Sequence, residues 1–175
     1  MSNDEQLRYP TGRFKAQEQY TRDEISRLIN EIESLPAEVE REIADMTDDL
    51  LDTPYRNGGW TVRQVLHHLP DSHMNAYIRL KWTLTEDNPT IKAYYEKAWA
   101  ETPETKLSPQ ISLNLLKVLH TKWVALLRGL KDDDFKKSFV HPETGKQVTL
   151  ARQVATYAWH GKHHLGHIRL VSGKR

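Results

Sequence analysis

Four stretches of this 175-residue chain carry apolar residues at intervals of three and four, the spacing that lines one face of an α-helix. Each such helix must bury its stripe on another element, and the candidate partners are chiefly the other three helices. The first stretch opens with the capping box Thr21 to Glu24 and runs through Ile25, Leu28, Ile29 and Ile32. It can continue to Val39, Ile43 and Met46, with a bend or restart expected at Pro36. The turn-rich segment "DTPYRNGG" ends it. A second capping box, Thr61 to Gln64, starts a helix through Val62, Val65, Leu66, Leu69, Tyr77, Ile78 and Leu80 that should stop before Glu86. The third has Ser108 as N-cap and Pro109 in its first turn, and runs to Gly129. "SFVHPETGKQVTL" reads as a small hairpin around a Pro-Glu-Thr-Gly turn, and the last helix follows from Thr149 or Leu150 to about Val171.

The expected fold is therefore all-α: a four-helix bundle with a small β-hairpin before the last helix, forming a single domain over residues 1–175. Residues 1–20 form a loop-like N-terminal arm containing Pro10 and Gly12. The connections after the second and third helices are long, which suits bundle neighbours that are not consecutive in sequence. Pro70 stands inside the second helix, where it removes the hydrogen bond to Leu66; the apolar pattern on both sides predicts that the helix continues with a bend.

Charge narrows the function. Lys and Arg total 25 against 24 Asp and Glu, so nothing favours nucleic acid. No apolar run approaches the length of a membrane span, and the first residues are polar, so the expected location is cytoplasmic. The absence of cysteine removes disulfides, thiolate nucleophiles and cysteine-ligated zinc together.

The chemistry is concentrated in histidine. "WHGKHHLGH" places four of them between residues 160 and 167 on the last helix. His160 and His164 lie about 40° apart on one face, one turn apart, the spacing of helical H-x-x-x-H metal ligands. His163 and His167 border the same stripe, within about 60° of His160, and read as residues of the pocket rim or as supports for a ligand imidazole. The alternative is an exposed, inert patch. In the second helix, His68 lies at the margin of the apolar face and His67 about 100° away, so His67 is the peripheral one. Asp71, Ser72, Asn75 and Arg79 follow the face of His68, as the wall of a pocket or as an ordinary solvent face. Three imidazoles without a carboxylate would leave a divalent ion its full charge, able to acidify a bound water or thiol. Gly161 occupies the position of the glutamate base in H-E-x-x-H, so any base must come from elsewhere. Asp71 and His163 are candidates to orient a ligand imidazole.

"GGWTVRQVLHHLPDSHMN" followed by "WHGKHHLGHI" resembles the DinB/YfiT-like superfamily of metalloenzymes, and the YfiT branch in particular. The likeness runs nearly end to end, through "YPTGRF", "MTDDLLDTPYRNGGWTVRQV", "LTEDNP", "EKAW" and "HPETGK". It implies a bundle of mirror-type connectivity, commonly a homodimer, with one Zn2+ or Ni2+ held by three histidines. Position by position these map to His68, His160 and His164. The family was first described as metal-dependent hydrolases, and related proteins are S-transferases for bacillithiol, mycothiol or glutathione.

The first expectation is thus a transferase that conjugates a small-molecule thiol, bacillithiol in the YfiT branch, to an electrophile. The second is a hydrolase that activates water against an amide or ester; the third is a non-catalytic metal-binding bundle. Asn75 and Arg79 are the candidate substrate-binding residues, with Arg63 a further basic candidate for the thiol's carboxylates. Trp82, Trp99 and Trp123 read as core or interface packing, and His120 as a satisfied core histidine. His73 and His141 carry no signal.

Overall fold

The structure, a computed structural model, describes residues 3–173, so the outermost residues of the domain expected over 1–175 lie outside the described residues. Its long helices are α2 (Arg22–Ile43), α4 (Val62–Thr85), α6 (Pro109–Arg128) and α7 (Leu150–Ser172). Shorter pieces lie between them: α1 (Asn3–Arg8), α3 (Asp48–Leu51), α5 (Glu96–Trp99), a 3₁₀ turn at Pro103–Lys106 and another at Asp134–Lys136. Strands β1 (Ser138–Val140) and β2 (Gln147–Thr149) pair antiparallel, Phe139 opposite Val148, directly before α7.

The helix starts follow from local hydrogen bonds. Both capping boxes are complete, with Thr21 and Thr61 accepting from the backbone of Glu24 and Gln64 while those side chains reach back to the cap amides. Each threonine cap is worth about 1 kcal/mol. Ser108 and Thr149 cap α6 and α7, and Gly173 ends α7 with a left-handed φ of 69°. Two starting expectations need correction. The arm is not all loop, because residues 3–8 are helical, and α2 stops at Ile43, leaving Met46 in the turn before α3. Pro36 and Pro70 both sit inside unbroken helices.

α2 packs on α6 and α7, and α4 packs on the same two, giving the order α2, α6, α4, α7 around the bundle. α2 and α4, and likewise α6 and α7, follow one another in the chain yet stand diagonally, whereas α4 and α6 are neighbours. The 86–108 connection joins the neighbours α4 and α6, and Ile91 and Val140 pair through their backbones to tie it to the hairpin. No helix among the described residues is long and apolar enough to cross a membrane.

Two apolar clusters fill the interior. One gathers Ile25, Ile29, Leu80, Trp123, Leu127, Leu150 and Val154; the other gathers Leu35, Val39, Leu66, Leu69, Leu116, Leu165 and Ile168. Of the tryptophans, Trp123 is core, whereas Trp82 and Trp99 are each 38% exposed and do not belong to it. Between the clusters, α4, α6 and α7 each contribute histidine at the same depth: His73, His120 and His160.

Candidate metal centre

α4 and α7 are neighbours, and at mid-height they bring His68 against His160 and His164. Each imidazole offers a ring nitrogen within 4.8 Å of the other two. His68 Nε2 and His160 Nε2 are 3.3 Å apart, and the ring centres of His160 and His164 are separated by 4.5 Å. Burial pushes the His68 imidazole down to about 4, with the His163 charge adding to the effect. Burial, reinforced by the neighbouring imidazoles, holds His160 and His164 well below the usual histidine range. All three are neutral at physiological pH, so each carries a nitrogen lone pair, the form that a divalent cation accepts. A borderline cation such as zinc suits this all-nitrogen donor set, and no carboxylate belongs to the cluster.

The local sequence explains how α7 can stand so close to α2. A Cβ built on Gly161 would meet Leu35 Cδ2 at 2.6 Å, so any larger residue there would force the Leu35 side chain to move. Gly166 does the same for the arm, whose Pro10 Cγ would lie 2.8 Å from an added Cβ. The arm crosses α7 here, and Trp159 Nε1 donates to the Gly12 carbonyl at 3.0 Å. The slot beside His160 is thus occupied by hydrocarbon.

Around the three histidines stands a further set of polar groups. His160 Nδ1 lies 3.1 Å from His73 Nε2, and His73 Nδ1 lies 2.8 Å from His120 Nε2. His120 Nδ1 reaches the Ile32 carbonyl at 2.6 Å. His164 Nδ1 is 3.4 Å from His167 Nδ1, and His167 Nε2 is 3.2 Å from the Arg8 carbonyl. Ser72 Oγ approaches His160 Nε2 at 3.4 Å and faces Tyr94 and Tyr157. Trp60 flanks the site, 4.7 Å from His68 between ring centres.

Beside His160 and His164, the orienting positions expected for Asp71 and His163 are filled by other residues. His73 stands next to His160, and His167 next to His164. Asp71 forms no hydrogen bond to a ligand imidazole among the described residues; its carbonyl accepts from Asn75, and burial pushes its carboxyl up to about 6. His163 instead stacks on Trp159 at 4.6 Å, with a buried Nδ1 that lacks a partner. His67 turns away from the cluster, held by Ser112 Oγ at 2.7 Å and the Leu107 carbonyl at 3.2 Å. Arg63 is committed to Asp48 and Asp52. Arg79 is buried, donates to the Lys92 carbonyl at 3.0 Å and lies close to Tyr157, one residue removed from the cluster.

His73 escaped the sequence reading, yet a signal was there. It occupies a core position of α4, in line with Leu66, Leu69, Ala76 and Leu80, as His120 does in α6 between Leu116 and Trp123. Histidines at core positions of two packed helices, each about midway along its helix, point to a shared polar layer.

Comparison with known proteins agrees with this arrangement. A model of the DinB superfamily matches residues 31–168. Proteins from Bacillus cereus (strain 03BB102) and Bacillus thuringiensis subsp. konkukian (strain 97-27) are each 54% identical over 162 residues, covering 93% of both chains; both are named "Putative metal-dependent hydrolase". A solved structure superimposes with a TM-score of 0.94 at 48% identity, over 97% of each chain. It is described in the words "YfiT from Bacillus subtilis is a probable metal-dependent hydrolase with an unusual four-helix bundle topology". The diagonal placement of α2 with α4 and of α6 with α7, the three-histidine cluster and a match over most of the length agree: the chain belongs to the DinB superfamily.

Proposed function

We propose that this protein is a metal-dependent enzyme that transfers a small-molecule thiol, such as bacillithiol, to an electrophile. The ion would be one Zn2+ or Ni2+ per subunit, held by His68, His160 and His164. The observation that carries this reading is the donor set itself, three neutral imidazoles with no carboxylate among them. A divalent ion bound there supplies Lewis acidity that lowers the pKa of a coordinated thiol or water toward neutrality. The chain has no cysteine, so a sulfur nucleophile must come with the cosubstrate.

The chain's own groups have defined tasks in that reaction. Asp71, three residues beyond His68 and so one helical turn along the same face, can take the thiol's proton, since a carboxyl pushed up to about 6 exchanges protons near neutral pH. The sulfur then forms its bond to carbon, and the leaving group departs with the bonding electrons. Arg79 and Tyr157 line a cavity of about 390 Å³ whose other walls include His141, Lys146 and Arg152, suited to the carboxylates of such a thiol. Asn75 lies on the same face of α4 as His68 and Asp71 and would position the cosubstrate beside them.

A second reading is hydrolysis of an amide or ester by activated water; the names of the relatives favour it. The metal-loaded protein should be assayed with bacillithiol and a chromogenic electrophile, beside a panel of esters and amides. Thiol-dependent turnover supports the transferase; hydrolysis without it reverses the order. Elemental analysis of His68→Ala and His160→Ala should show metal at background level, and full occupancy in both would remove the site as assigned.

The proposed partner is a second copy of the chain. Leu107, Ile111, Leu115 and Val118 are all exposed and recur at three- and four-residue spacing along α6 and its entry, an apolar stripe that a homodimer would cover. Light scattering of Val118→Asp beside wild type tests it: a wild-type monomer, or an unaltered dimer in the variant, rejects this face.

A further inference from the structure

The three candidate ligands do not all stand alone, and the way two of them are supported fixes where their protons lie. The longer chain of contacts ends on the Ile32 carbonyl, which can only accept a hydrogen bond. His120 Nδ1, at 2.6 Å, must carry the proton. A neutral imidazole has one N–H, so His120 Nε2 is bare and accepts from His73 Nδ1 at 2.8 Å. By the same rule His73 Nε2 is bare and accepts from His160 Nδ1 at 3.1 Å. His160 is left with its lone pair on Nε2, the atom that faces His68.

The second chain obeys the same logic with one inversion. It ends on the Arg8 carbonyl, so His167 carries its proton on Nε2 and leaves Nδ1 bare. That nitrogen accepts from His164 Nδ1, and His164 too is left with a bare Nε2. His73 and His120 are 0% and 2% exposed, and no described hydrogen bond joins any of these five rings to a carboxylate. Burial without a countercharge keeps such rings neutral.

We infer that His73, His120 and His167 are positioning residues: through hydrogen-bonded chains anchored on the Ile32 and Arg8 carbonyls, they lock His160 and His164 in the tautomer that presents Nε2 to a metal ion. The inference rests on the proposed role of His160 and His164 as ligands. It adds that the lone pairs are aimed before any ion arrives, so that binding requires neither ring flips nor proton shifts at these two residues. Hydrogen bonding of the distal nitrogen is also what fixes a ligand histidine's orientation and raises its basicity.

The metal-free protein gives the direct test. Long-range 1H–15N correlation spectra of uniformly 15N-labelled protein at neutral pH report each ring's tautomer. Nδ1–H is expected for His73, His120, His160 and His164, and Nε2–H for His167. His160 or His164 found chiefly as Nε2–H overturns the inference. In parallel, Zn2+ affinity should be measured by chelator competition for His73→Phe, which keeps a ring but removes the acceptor, and for His73→Gln, whose amide oxygen can accept from His160 Nδ1. A loss of about 10–100-fold is expected for the phenylalanine variant, with substantial recovery in the glutamine variant. Equal affinity in wild type and a folded His73→Phe overturns the inference. If that variant does not fold, the wild-type spectra decide. Failure of wild-type protein to bind Zn2+ or Ni2+ would instead remove the proposed function, and the tautomers would still be read independently.

Discussion

The two apolar clusters and the histidine layer between them are built from the same four helices by opposite means. In the clusters, residues such as Ile29, Leu80, Leu69 and Leu165 are interchangeable in kind, and what matters is that their volumes fill the space. In the layer, His73, His120 and His160 are held by directed contacts of 2.6 to 3.1 Å, and each depends on the one before it. Removing a methyl group from a cluster costs energy locally. Removing a ring from the layer leaves a buried polar partner unpaired and passes the fault along to the candidate ligand. Stability and metal affinity should therefore be separable by mutation.

The largest effect that would sharpen this contrast is on pH. Burial pushes His120 from its ordinary value of 6.5 down to about 4, and the other histidines of the layer move the same way. The unfolded chain thus binds more protons, so the stability these groups contribute is fully present above pH 6.5 and is lost as pH falls toward 4. At about 1.4 kcal/mol per unit, His120 alone should cost about 3 kcal/mol by pH 4. Thermal unfolding of the metal-free protein against pH measures it; a midpoint unchanged between pH 7 and pH 4.5 would show that the layer is not a neutral, buried one.

Leu80→Ala comes next. It empties part of one cluster and should lower unfolding stability by 2–5 kcal/mol, on the order seen for buried leucines. Its Zn2+ affinity should stay within a few-fold of wild type, because Leu80 belongs to an apolar cluster and stands about two helical turns along α4 from His73. A parallel loss of affinity would merge the two regions into one. Chelation probes the layer from the other side. With free metal at about 100 times its Kd, removal should cost about 2.7 kcal/mol. The helical circular dichroism should persist, since the clusters hold the bundle without the ion. Unfolding on chelation would favour a structural metal. The smallest effect is expected for Gly161→Ala, about 1–3 kcal/mol from forcing a methyl against Leu35, read by denaturant titration.

The same division explains what could be read from the sequence. Helix limits were legible at Thr21, Thr61, Ser108 and Gly129, because caps are made by residues two to four apart. The pairing of His160 with His164 was legible for the same reason. His68 needed only its place on the margin of an apolar face. His73 was harder, because what it does is defined by His160, 87 residues away; His167 was legible as a neighbour of the stripe, but not its anchor, the Arg8 carbonyl 159 residues away. The surroundings of His73 in sequence look like core. Asp71 and His163 fitted the helical wheel, but the wheel says nothing about which ring reaches first, and His73 and His167 stand closer. The helix at residues 3–8 was hidden because its contacts are with α7, at the far end of the chain.

The closeness of Leu35 to Gly161 also bounds what this scaffold can become. A helix with two candidate ligand histidines one turn apart is a single substitution from H-G-x-x-H to H-E-x-x-H, yet here that substitution would drive a side chain against Leu35 of α2. Acquiring a base at this position of α7 would first require the Leu35 side chain to give way. New activities in this chain are thus channelled toward α4, the arm and the connecting segments, and toward reactants that bring their own acidic proton.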